Sequence, residues 1–206
     1  MGSLRPRLGP VVAALLLAGG FAAPLAAQDA PPSEEATEQA PAPRQTPEER
    51  EADLLAQLAG AEDPGAAGLV ATELKGIWSR SGSAAVDLLW KRGQDALMAG
   101  APDQAVEHFT AALDWAPDFA EAYAGRASAY YLTGDPGPAL ADLRAALALN
   151  PHQWEALSGF AVLLEEIGEE EEALEVWRRV TEINPQDEAA TASIARLETA
   201  LAGRAL

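Results

Sequence analysis

The chain has 206 residues, of which 32 are Asp or Glu and 14 are Lys or Arg, giving a formal net charge of −18, and it contains no cysteine. Such an acidic balance argues against nucleic acid and anionic membrane surfaces as partners. Without cysteine there is no disulfide, thiolate metal site, cysteine nucleophile or lipid-anchored lipoprotein, so the fold depends on packed apolar surface.

The chain opens with Arg5 and Arg7, then an apolar run over residues 11–17 that weakens toward Ala23; Leu25-Ala26-Ala27 ends in small residues before Gln28. This order of basic start, apolar run and small residues is that of a secretory signal peptide, residues 1–27, cut after Ala27. A retained membrane anchor is the alternative, but Gly19, Gly20 and Pro24 interrupt the run, and a span needs about 20 apolar residues. No membrane insertion is therefore expected after cleavage. Losing Arg5 and Arg7 takes the −18 to −20. Residues 28–46 hold Pro31, Pro32, Pro41 and Pro43 with Glu34, Glu35 and Glu38. With no apolar period, this segment reads as a disordered acidic linker.

Apolar spacing predicts helices over 47–58 and 66–78. Asp63-Pro64-Gly65 is expected to cut the first of them short. Residues 47–82 thus read as a degenerate N-terminal helix pair acting as a cap. Beyond them, Pro117, Pro151 and Pro185 stand 34 residues apart. With each proline at position 32, the array of 83–185 holds three repeats whose 34-residue register runs 86–119, 120–153 and 154–187. Small residues recur at position 8 (Gly93, Ala127, Ala161), position 20 (Ala105, Ala139, Ala173) and position 27 (Ala112, Ala146, Val180). They let two helices approach closely, while Leu89, Tyr123 and Leu157 at position 4 and Phe109, Leu143 and Trp177 at position 24 fill the gaps. Gly100, Gly134 and Gly168 at position 15 suit a tight turn needing positive φ. Proline then ends each repeat. Asp118 with Glu121 reads as an N-cap and its partner, His152 with Glu155 keeps half of that pattern, and Ser83 is a further N-cap candidate. Residues 186–206 close the chain with a capping helix over 186–201, with Ala190, Ile194, Leu197 and Leu201 at helical spacing.

A 34-residue period with small residues and proline at these positions resembles the tetratricopeptide repeat family. Position 4 is Leu in two repeats where the family often has Trp, and position 7 is Arg92, Arg126 and then Phe160. The resemblance implies an all-α, right-handed superhelical array of antiparallel helix pairs: a solenoid of three repeats plus caps. An abundance of Ala and Arg over Lys suggests an exported bacterial member, and the signal sequence then implies a periplasmic location.

No enzyme constellation or cofactor site is evident. His108 and His152 fall in different repeats, Gly134-Asp135-Pro136-Gly137 is a repeat turn, and the run Glu165, Glu166 and 169–172 lacks the spacing of a calcium loop. Catalytic, cofactor-binding and metal residues are therefore all expected to be absent. In the family the concave groove is lined by first helices at positions 2, 5, 9, 12 and 13. In successive repeats these are Asp87, Trp90, Gln94, Leu97 and Met98; Glu121, Ala124, Ser128, Tyr131 and Leu132; and Glu155, Ser158, Val162, Glu165 and Glu166. Trp90, Gln94, Leu97, Ser128, Tyr131 and Val162 are the candidate partner-binding residues, with Trp90 and Tyr131 as aromatic anchors. For Trp90 the competing reading is packing near Trp78. For Asp87, Glu121 and Glu155 it is first-turn helix electrostatics. Chaperone-binding members clamp a C-terminal carboxylate with basic residues and Asn. Here those positions are Trp90, Gln94, Gly125, Glu155 and Gly159, so such a clamp is not expected.

The function implied is a protein-binding scaffold that holds a partner's helix or extended segment, basic or amphipathic in character. The alternative is a self-associating structural protein of the cell envelope, a homo-oligomer; an enzyme ranks behind both.

Overall fold

The computed structural model describes residues 45–204; the expected signal sequence and nearly all of the linker lie outside them. The described residues form nine α-helices: α1 (Pro47–Ala59), α2 (Pro64–Trp78), α3 (Ala84–Met98), α4 (Pro102–Trp115), α5 (Ala120–Thr133), α6 (Pro136–Leu149), α7 (Trp154–Glu166), α8 (Glu170–Ile183) and α9 (Glu188–Arg204). No strand occurs among them. The pairs α3/α4, α5/α6 and α7/α8 stack in order, and α9 covers α8 with Ala190 and Leu197 buried.

The aligned residue types have direct structural uses. The alanines at positions 20 and 27 and Val180 have no exposed surface, so the paired helices meet without a gap. Gly100, Gly134 and Gly168 all have positive φ. At each, the next residue's N–H reaches back to a carbonyl five residues earlier, as from Asp135 to Tyr130. This closes the first helix of every repeat with a Schellman turn.

One packing detail sets the distance between the first two repeats. The Phe109 ring is fully buried between Gly93 of α3 and Gly125 of α5. A Cβ built on Gly93 would lie 2.6 Å from that ring, and one on Gly125 would lie 2.5 Å from it. Only glycine leaves room for the ring at either place.

A second internal link is polar. Arg126 of α5 donates to both carboxylate oxygens of Asp142 on α6, at 2.7 and 2.8 Å, and to Thr110 of α4 at 3.1 Å. Its guanidinium also lies 5.6 Å from the Tyr123 ring centre and 6.0 Å from that of Tyr130. The pair is mostly buried and ties both helices of the second repeat to the first.

Three local readings are corrected. Asp118 does not cap α5: the N-cap is Phe119, and no side chain bonds there. Phe119 is drawn into the core, 5% exposed, which carries the preceding residue away from the helix end. In the third repeat the N-cap is Gln153, with no side-chain bond either. Asp63-Pro64-Gly65 does not end α1. That helix stops at Gly60, and Asp63 instead caps α2 by accepting from the Ala66 N–H at 2.9 Å.

The packing of the N-terminal pair shows how it sits on the array. It does not stack on α3 as one more repeat. It lies along the edge where the proline loops turn, and shares its core with the later repeats. Leu54, Leu58 and Leu74 are buried in one cluster with Trp154, Leu157 and Trp177. Trp78 lies 5.3 Å from Trp154 between ring centres, Lys75 pairs with Glu155 at 3.1 Å, and Gln186 donates to the Ala61 carbonyl at 2.9 Å. The physical reason is readable in the register. Stepping back 34 residues from Ala112, where only a small side chain fits, lands on Trp78, and stepping back from the turn glycine Gly100 lands on Ala66 inside α2. A tryptophan at the close-approach position prevents in-register stacking.

Candidate functional site

The first helices α3, α5 and α7 line a cavity of about 540 Å³. Gln94 and Leu97 reach it from α3, Ser128 and Tyr131 from α5, and Val162 from α7. Five of the six candidate residues therefore share one surface. Its apolar part is completed by Leu132 and Leu163. Tyr131, Leu132 and Val162 remain exposed despite their size, which is the usual state of side chains that anchor a partner.

Trp90 is the exception, and its assignment to the groove is corrected. The indole is partly buried against the core of the first repeat, 6.3 Å from Phe119 between ring centres. Its Nε1–H donates to the Glu121 carbonyl at 3.3 Å. Packing has claimed Trp90, though against Phe119 rather than Trp78. Trp78 is taken by Trp154.

The electrostatics centre on Glu121. Its side chain lines the groove cavity and also a second cavity of about 540 Å³ toward α1, bounded by Trp78, Phe119 and His152. One carboxylate oxygen, Oε1, is buried with no hydrogen-bond donor. Burial pushes the carboxyl up to about 7; a side-chain hydrogen bond from Gln153 holds it back, Glu155 pushes it further up and the charge of Lys75 lowers it. Gln153, 4% exposed, lines the groove with its own Oε1 undonated. Glu155 is the groove's other carboxylate, and no Lys or Arg lines the cavity among the described residues. At the rim, Tyr131 donates its hydroxyl to Glu166 at 2.6 Å.

The raised Glu121 value carries a stability consequence with a definite sign. A carboxyl whose folded value lies above its unfolded value favours the fold when protonated. That contribution is complete below about pH 4.5 and is lost as the pH rises through about 7. Glu121→Gln should accordingly stabilise the protein by about 2–3 kcal/mol at pH 8, with most of the gain gone at pH 5. Urea denaturation at the two pH values checks this; equal gains at both would contradict it.

Sequence reading identified Glu121 as a groove position but not as a buried charge. Gln153 went unnoticed, because nothing in a single sequence marks a loop glutamine that will be buried. The two histidines stay apart, His108 on α4 and His152 in the loop before α7.

Comparison with known proteins agrees with the all-α repeat fold. The tetratricopeptide repeat family profile matches residues 96–141 and 133–197. A TPR repeat-containing protein of Rhizobium etli is 30% identical over 89 residues, 43% of this chain and 44% of that one; the chain thus spans under half the length of that relative. Among solved structures, the first TPR of Spaghetti (RPAP3) bound to the HSP90 peptide SRMEEVD superposes with a TM-score of 0.55 at 28% identity, over 57% of this chain and 93% of that one. The first TPR domain of human RPAP3 gives 0.54 at 28%, over 57% and 93%. The Arabidopsis OM64 TPR domain gives 0.54 at 23%, over 56% and 95%, a likeness of fold alone.

Proposed function

Since this chain is a tetratricopeptide repeat protein over residues 96–197, we propose that it is an interaction scaffold which holds a helix or extended segment of a partner protein in the groove of α3, α5 and α7. The observation that carries the reading is the exposure of Tyr131, Leu132 and Val162 on one concave cavity wall. An apolar groove of this size, with a few polar groups converging on it, is a common form of binding site. The comparable RPAP3 structure holds an HSP90 peptide, which supports a peptide as occupant. The peptide itself is another matter: SRMEEVD ends in acidic residues, and this groove offers Glu155 and Gly159 where a carboxylate clamp needs cations.

A photo-crosslinking residue placed at Leu132, in the groove, should capture a discrete partner protein in cells. The same residue at Trp115, 79% exposed and outside the groove lining, should not. Identical products at both positions would sink the reading.

The location belongs to the same proposal. The pattern of residues 1–27 supports export to the periplasm with cleavage after Ala27. Mass spectrometry of protein released by osmotic shock should find a chain beginning near Gln28. An intact N-terminus retained with membranes would contradict it.

A further inference from the structure

We propose that the groove recognises an arginine or lysine side chain set between apolar residues of the partner segment, with the cation held by Glu121 and the Gln153 amide oxygen and the neighbouring apolar side chains lying on Leu97, Leu132 and Val162. This inference rests on the groove reading above and specifies its occupant.

Three observations converge on a cationic guest. First, the cavity is lined by two carboxylates and, among the described residues, by no Lys or Arg. Lys75 of α2 already pairs with Glu155 at 3.1 Å, so Glu121 is the carboxylate of the two left without a cation. Second, two buried acceptors on the same cavity wall, Glu121 Oε1 and Gln153 Oε1, have no donor. Buried polar atoms normally find a partner, and an unpaired carboxylate oxygen is among the costliest to leave. Third, of the four buried side-chain oxygens without a donor among the described residues, two converge on this cavity, Glu121 Oε1 and Gln153 Oε1, while Glu170 Oε2 and Asn184 Oδ1 lie apart from it. Retained instability of this kind marks sites arranged for function rather than for stability. A guanidinium or ammonium supplies several donors and a positive charge together.

Charge also selects among occupants. The chain's own segment 28–46 carries Asp29, Glu34, Glu35 and Glu38 against Arg44 alone, so it is repelled from an acidic groove. A second copy of a chain with net charge −18 meets the same repulsion. A basic partner segment is the complementary choice, and the surrounding acidic field would speed its arrival.

The test uses three twelve-residue peptides with the same leucines and either arginine, glutamine or glutamate between them. Fluorescence anisotropy compares the wild-type protein with Glu121→Gln and with the double variant Leu132→Ala/Val162→Ala. The arginine peptide should bind wild type about tenfold more tightly than the glutamine peptide, as charge-assisted hydrogen bonds outweigh neutral ones. Glu121→Gln should abolish that advantage, and the double variant should weaken both peptides. Equal binding of the arginine and glutamine peptides, both weakened by the double variant, would overturn the cation inference and leave the groove reading intact. Binding that ignores the double variant would overturn both. Failure of the arginine peptide to bind at millimolar concentration would overturn the inference, while the Leu132 crosslink still decides the groove. Circular dichroism of each variant establishes that it is folded before binding is compared.

Discussion

Replacing Asp142 with alanine is expected to destabilise the protein by about 3–5 kcal/mol, because it strands the buried Arg126 charge. Asp142 is 6% exposed and takes two donors from Arg126. Its loss leaves the Arg126 guanidinium, packed beside the Tyr123 and Tyr130 rings, without its carboxylate. The proper comparison is Lys91→Ala. Lys91 pairs with Asp95 at 2.6 Å on the exposed face of α3, and such surface pairs are worth about 0–1 kcal/mol. Urea denaturation of the two variants should separate them clearly. Removing both charges of the buried pair together, with Leu at 142 and Met at 126, should recover much of the loss, since the pair's desolvation penalty disappears with it. If Asp142→Ala and Lys91→Ala cost the same, the pair is solvated and does not join the repeats.

Phe109→Ala should cost a similar amount, about 3–5 kcal/mol, through the cavity it leaves. The fully buried ring fills the space between Gly93 and Gly125, so neither side can relax without drawing α3 toward α5. Gly125→Ala attacks the same junction from the other direction. Its new methyl would meet the ring at 2.5 Å, and overpacking of this kind costs roughly 1–3 kcal/mol. Combined, the two changes should cost less than their sum, as the alanine methyl then occupies space the ring has vacated. Thermal or urea denaturation checks all three; strict additivity would mean that the ring and Gly125 do not meet. Because Gly125 also lines the groove, this junction sets the shape of the cavity.

What was legible in the sequence follows from the length scale of each feature. The helix pairs of the array depend on a local period and on residue volume, and Ala105, Ala139 and Ala173 announce both. Gly100, Gly134 and Gly168 announce the turns for the same reason. The path of α1 and α2 was not legible, because it depends on where Trp78 finds a partner, and Trp154 stands 76 residues further on. The clue lay in the register itself, where Trp78 occupies a small-residue position. Five groove residues were placed together by the period combined with the groove positions that the family resemblance implies. Trp90 was misplaced because the same period cannot say that Phe119 will fold inward against it. Arg126 and Asp142 were visible as charges at positions 7 and 23 of one repeat. Their pairing required knowing that these positions face each other. Glu121 shows the limit most plainly: an acidic residue in a first helical turn is ordinarily solvated, and only the arrival of α2 and Gln153 turns it into a buried, under-paired charge.

The central claim is that the surface of α3, α5 and α7 carries the function. It is tested most directly by adding the leucine–arginine peptide to isotopically labelled protein and following backbone amide shifts. The account predicts that the shifts concentrate at Gln94, Leu97, Ser128, Tyr131 and Val162, with the Glu121 carboxyl moving toward its ionised form. Shifts gathered instead on α4, α6 and α9, with the groove residues unmoved, would contradict it.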